Sequence, residues 1–226
     1  MLFIGPLLVT RFSGYFTRHT KNSLTERQQE LGFLIRFEMV LATILPLILN
    51  VVWTPVIDAL TQNKYGAVNK TTFLLLSLCI PFQYMINLFW TIHFSLNHLA
   101  LIFRITAVTC IVIVAGDLFM ISLMNARGAA LVYLAAMLAE YLLYLKHSFF
   151  AGARNSLLPL AICTGIAFFS GWIVYYLDMP VFAALVLSVT IYCILLIVTG
   201  QVRKNDLGLL KQWISNRDND IKFAKK

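Results

Sequence analysis

Five ionisable residues lie inside long apolar runs of this chain: Arg36, Glu38, Arg104, Asp117 and Glu140. A charged side chain near the centre of a membrane-crossing helix costs roughly 2.5 to 3.5 kcal/mol on insertion scales, so each of the five needs a reason to be there. Arg36 and Glu38 fall about five to seven residues into the first run. At that depth both a side chain reaching back to the membrane boundary and a contact with a charged ligand remain open, and Arg104 is similar. Asp117, about six residues from the outer end of the third run, and Glu140, well inside the fourth, are the better candidates for a polar interior or a water-filled cavity.

No other chemistry is signalled. His19, His93, His98 and His147 fall at or near helix ends without the spacing of a helical metal site, which reads as neutral histidines at the membrane boundary. Cys79, Cys110, Cys163 and Cys193 all lie in apolar runs without a C-x-x-C pair and read as small packing residues. There is no Gly-rich phosphate loop, no H-E-x-x-H and no nucleophile motif, so no enzyme, cofactor or metal site is expected. The net charge of +8 sits in short connectors and in the tail, without a basic face interleaved with aromatics, which argues against nucleic acid.

The elements that must hold these residues follow from composition. Sixty per cent of the 226 residues are apolar and twelve per cent charged, against about half and a quarter in a soluble domain. Lipid is the solvent that such a chain expects. Six runs are long enough to cross at about 1.5 Å per helical residue: Leu31 to Ile57, Thr72 to Phe94, Leu99 to Leu123, Gly128 to Leu145, Leu157 to Leu177, and Val181 to Val202. Runs such as Cys110 to Ala115 are apolar at every position, which excludes the alternation of a transmembrane β-barrel. The expected fold is an all-α bundle of about six antiparallel transmembrane helices. Residues 1–30 read as the end of a helix followed by a polar connector from Arg11 to Glu30, residues 31–202 as the membrane lobe, and residues 203–226 as a polar tail, with Trp213 and Ile214 at the interface. Placing both termini in the cytoplasm puts fifteen of the eighteen Lys and Arg on that side and leaves Lys64, Lys70 and Arg127 outside.

Packing expectations come from small residues and prolines. Ala135 with Ala139, Ala161 with Gly165 and Ala167 with Gly171 are spaced one turn apart, as at close helix contacts. Pro46, Pro55 and Pro81 predict interruptions in the first two spans, a feature frequent in transporters. Arg104 and Glu140 sit at similar depths on adjacent antiparallel spans, where an ion pair would spare both an unpaired charge.

The stretch Asp117 to Ala130, DLFMISLMNARGAA, resembles a pattern of bacterial polysaccharide flippases, the O-antigen-type exporters related to lipid II flippases and multidrug efflux proteins. That pattern has an Asn, aliphatics, a Pro, a Tyr-Gly turn and Gly-Ala-Ala opening the next helix. Gly128, Ala129 and Ala130 match; Asp117 stands for the Asn, Ser122 for the Pro and Asn125 for the turn Gly. Thr10 to Ser13 is similar to the Pro-x-Leu-Ser ending the eighth helix, and Gly200 to Leu207 to the signature after the last one. The resemblance implies the carboxy-terminal lobe of a two-lobe carrier in the bacterial cytoplasmic membrane. Such a carrier turns a lipid-linked oligosaccharide from inner to outer leaflet, and a separate amino-terminal lobe would be its partner. The substrate's pyrophosphate would need cationic and polar groups within the bilayer, with Arg36 as first contact. The alternatives are a cation-coupled efflux protein using carboxylates such as Asp117 for Na⁺ or H⁺, and a membrane scaffold without transport.

Overall fold

The computed structural model describes residues 24–148, 155–177 and 179–201, and among them every regular element is an α-helix. The helices are α1 (Leu24–Thr61), α2 (Lys70–Ser95), α3 (Leu99–Met124), α4 (Ala126–His147), α5 (Leu157–Tyr176) and α6 (Val181–Val198). All six are long and apolar enough to cross a membrane, so the chain is a multi-pass membrane bundle. The expected end of a helix at Met1 to Thr10, the Thr10 to Ser13 motif, His19, most of Gly200 to Leu207 and the polar tail fall outside the described residues. The first span reaches further than the composition suggested. Leu24 to Glu30, read as connector, are the opening turns of α1, because Glu, Gln and Arg there are good helix formers and nothing breaks the helix before the apolar run.

Helix α1 is the centre of the bundle, packing on α2, α5 and α6, while α4 packs on both α2 and α3. One core spans α1 to α4 and the start of α5 through Met39, Phe89, Tyr141 and Leu160, and a second joins α1, α5 and α6 through Leu47, Ala167 and Tyr192. The prolines do not interrupt the helices as predicted: α1 runs unbroken through Pro46 and Pro55, and α2 through Pro81. Near two of the prolines, polar side chains tie α1 to α2. Asn50 donates from Nδ2 to the Pro46 carbonyl at 2.7 Å and to Ser77 Oγ of α2 at 2.6 Å, and Ser77 in turn donates to the Leu74 carbonyl at 2.8 Å. Asn50 thus pairs with its own helix and with α2 at once, a polar contact of the kind that joins helices in a bilayer.

Tight turns fix the antiparallel order. Gly66 donates its N–H to Asp58 Oδ1 at 2.8 Å, and a Cβ there would lie 2.6 Å from the Asp58 carboxyl and 2.7 Å from the Thr54 carbonyl. Between α3 and α4, Asn125 adopts φ 52° and ψ −135°, a conformation that glycine enters most readily, and a Cβ on Gly128 would come within 2.2 Å of the Met120 carbonyl oxygen. Of the small-residue pairs, Ala167 and Gly171 lie at a close contact, with Leu47 Cδ1 3.2 Å from where a Gly171 Cβ would be. Ala161 and Gly165 do not: they are exposed, and Gly165 has open space before it. The close approach of α3 to α4 runs through Gly116 instead, against Val132.

Candidate functional site

Among the spans the deepest charge is Glu38. It is 4 % exposed, it lies beside Met39 of the larger core, and its Oε1 has no hydrogen-bond partner. Tyr84 of α2 lies within its electrostatic reach. Arg36 is half-buried and its Nη1 folds back to 3.6 Å from where a Gly32 Cβ would be, one turn nearer the start of the helix. The pair therefore divides: Arg36 reaches towards the end of the bundle, and Glu38 turns inward.

Glu140 belongs to a second polar group, on the α3–α4 contact. It is half-buried near Thr109 of α3, whose hydroxyl donates to the Ile105 carbonyl at 3.1 Å, and Tyr133 and Tyr144 of its own helix lie within reach of its charge. Tyr133 is also hydrogen-bonded by the Gln83 amide of α2, and the buried Tyr144 hydroxyl has no partner. The expected ion pair with Arg104 does not form. Arg104 is exposed on α3 and points away from the α4 contact that Ile102, Ile105 and Thr109 make, so equal depth did not translate into the same face. Asp117 lies towards the opposite end of α3, half-buried beside Gly116, with Oδ1 buried and unpartnered. Arg36 and Glu38 share α1, Glu140 and Arg104 lie on other helices towards the same end of the bundle, and Asp117 lies towards the opposite end.

Several polar contacts between spans carried no signal in the sequence. Tyr192 of α6, wholly buried, shares a hydrogen bond with Thr43 at 2.6 Å and donates to the Val40 carbonyl at 3.1 Å. Tyr141 and Ser156 join α4 to the start of α5 at 2.7 Å. Tyrosines and threonines in apolar runs look like lipid-facing residues one at a time, and a periodicity of buried hydroxyls across different helices would have been the signal. Histidine placement also differs from the sequence reading. His147 is exposed, as a boundary histidine should be, but His93 is 2 % exposed and buried in the bundle. The cysteines split: Cys79 and Cys163 are packing residues of the two cores, whereas Cys110 and Cys193 face outward.

Near the opposite end of α5, Leu78, Thr164, Gly165, Phe168, Phe169 and Trp172 line an open, almost wholly apolar groove of about 580 Å³. Aromatic rings cluster at that end of the bundle. Trp53 stacks on Phe73 at 3.8 Å between centroids, Trp172 meets Tyr176 edge-on, and Lys70 Nζ sits 3.7 Å over the Tyr175 ring. Such a girdle, with a basic side chain above it, is the pattern of a membrane–water interface. Comparison with family models, curated proteins and solved structures finds no match for this chain.

Proposed function

We propose that this chain is one lobe of a membrane carrier, working by alternating access, and that its cargo is a lipid-linked oligosaccharide precursor of a bacterial surface polysaccharide. The observation that carries the reading is Glu38, a carboxyl side chain held 4 % exposed among membrane-crossing helices with one oxygen unpartnered. A bundle that only had to sit in lipid would gain by replacing it with an apolar residue, so its presence argues for a task. The choice of cargo rests on the Asp117 to Ala130 resemblance. The positive φ at Asn125, where the flippase pattern has its turn Gly, supports that correspondence. Both termini lie in the cytoplasm in this reading. Arg36, near the cytoplasmic boundary, is the cation offered to the pyrophosphate, and a second lobe completes the cavity in this reading.

A cation-coupled efflux protein is the second reading, favoured by the unpartnered oxygens of Glu38 and Asp117, which are suited to bind Na⁺ or a proton. Complementation separates the two. In a strain lacking the flippase for an undecaprenyl-linked glycan, the flippase reading expects restored surface glycan when this chain is produced with a complementary lobe, and none from this chain alone. Drug resistance that follows an ion gradient, without glycan rescue, would establish efflux. Rescue by the 226-residue chain alone would replace the lobe reading with a homodimer of half-transporters.

A further inference from the structure

At the end of the bundle where α2 stops and α3 starts, histidines from three stretches of chain come together. The backbone brings the first two into register. Leu96 N–H bonds the Ile92 carbonyl at 3.1 Å, Asn97 takes φ 59°, and His98 N–H bonds the His93 carbonyl at 2.9 Å, which closes the turn. This closure sets His93 Nδ1 3.3 Å from His98 Nδ1. The His93 ring is 2 % exposed and stacks on Tyr144 of α4, centroids 5.8 Å apart. His147, in the last turn of α4, is the third. Its Nδ1 lies 2.9 Å from the Leu143 carbonyl, and its charge, like that of His98, reaches His93.

Two imidazole nitrogens facing each other at this distance are compatible only if one carries a proton and the other does not. A first proton can go to the outer nitrogen of the donor ring and leave the N–H···N contact in place, whereas a second, on the acceptor nitrogen, leaves two N–H groups facing each other on two cations, with His93 cut off from water. Ionisable residues of the surrounding helices towards this end include Glu26, Arg27, Glu30, Arg36 and Glu38 on α1, Tyr84 on α2, Arg104 on α3, and Glu140, Tyr141, Tyr144 and Lys146 on α4. Among the described residues, the Glu38 carboxylate field falls on Tyr84 and that of Glu140 on Tyr133 and Tyr144. Among the described residues, the charges that reach His93 are those of His98 and His147, both cationic once protonated.

We propose that the His93–His98 contact is a proton-sensitive latch, which holds the α2–α3 turn against the end of α4 when both rings are neutral and releases it when the pair gains a second proton. Release matters for α3 in particular, because α3 packs on α4 and makes little contact with α2, to which this turn joins it. The latch stands independently of the cargo proposed above. Its stabilising contribution is present above the imidazole range, near pH 6.5 for an ordinary histidine, and is lost as the pH falls.

The test is hydrogen exchange of the full chain in lipid nanodiscs at about pH 7.5 and about pH 5.5, corrected for intrinsic exchange, and read on peptides covering Ile92 to Leu101. Acidification should speed exchange in this segment on the order of tenfold, comparable to loss of one buried hydrogen bond, while the α5–α6 contact is unchanged. His98→Gln, which keeps a hydrogen-bonding side chain but cannot gain a charge, should remove the pH response. His98→Lys, whose fixed charge can only donate, leaves release to a single proton on His93, so it should keep an acid response that His98→Gln lacks. Nitrogen-15 spectra of labelled histidines in the unmutated chain give an independent reading, since the latch requires one N–H···N pair at the higher pH and two imidazolium rings at the lower. Equal protection of the segment at both pH values, or an acid response that survives in His98→Gln, would overturn the proposal.

Discussion

Asn125 and Gly128 show how much the α3–α4 turn depends on single positions. Asn125 holds φ 52°, ψ −135° without being glycine, a conformation that costs a non-glycine residue about 1 kcal/mol or more. Asn125→Gly should therefore stabilise the bundle by about 1 kcal/mol in a denaturation titration in bicelles. Gly128→Ala should destabilise it by more than that, since its methyl would press on the Met120 carbonyl oxygen from 2.2 Å. Glu38 is the converse case. Replacing it with Met should raise stability by about 1 kcal/mol or more, because a desolvated, unpartnered oxygen disappears. In the carrier reading the same substitution removes function. A Glu38→Met chain that is less stable than the parent would show that Glu38 has a partner supporting the fold. At this scale the sequence was informative about which residues were out of place in lipid, and less so about direction. Arg104 and Glu140 looked like a pair because depth can be counted along a chain, whereas the face that each presents depends on how α3 and α4 rotate against each other.

The helices themselves were the most legible part. Apolar length alone sets the spans, and the ends of α2 to α6 fall within a few residues of the sequence estimate. The start of α1 was missed because hydropathy reports the bilayer and not the helix, which continues into a polar stretch. The prolines were misread because each removes one bond of the helix ladder without dictating a break in a bilayer, and the contact that ties α1 to α2 was missed because it is not local: Ser77 is twenty-seven residues from Asn50 and on another span. Contacts of this kind between α1 and its neighbours should be measurable one by one. A double-mutant cycle of Asn50→Leu and Ser77→Ala should give a coupling of about 0.6 kcal/mol, the usual size for a hydrogen bond between membrane helices. The same cycle on Thr43→Val and Tyr192→Phe should give at least as much, since both hydroxyls are wholly buried. Additive effects in both cycles would mean that α1 is held by packing alone.

At the scale of the whole molecule, the placement of helices around α1 could not be read from the sequence. Short connectors fix antiparallel neighbours, yet α2 packs more closely on α4 than on α3, and α5 and α6 close on α1 across the chain. This arrangement puts Glu38 and the Glu140 group at one end of the bundle and the aromatic girdle with Lys70 at the other. Everything proposed for the chain presumes that these are the two faces of a membrane, with six crossings between them. Cysteine accessibility tests that presumption most directly. In a version lacking Cys79, Cys110, Cys163 and Cys193, single cysteines at Asn63, between α1 and α2, and at Asn155, just before α5, are exposed to a membrane-impermeant maleimide in intact cells. The account predicts that Asn63→Cys labels from outside and that Asn155→Cys labels only after the membrane is opened. Labelling of both positions in intact cells would contradict the six-crossing arrangement and, with it, the two-ended bundle on which the functional reading depends.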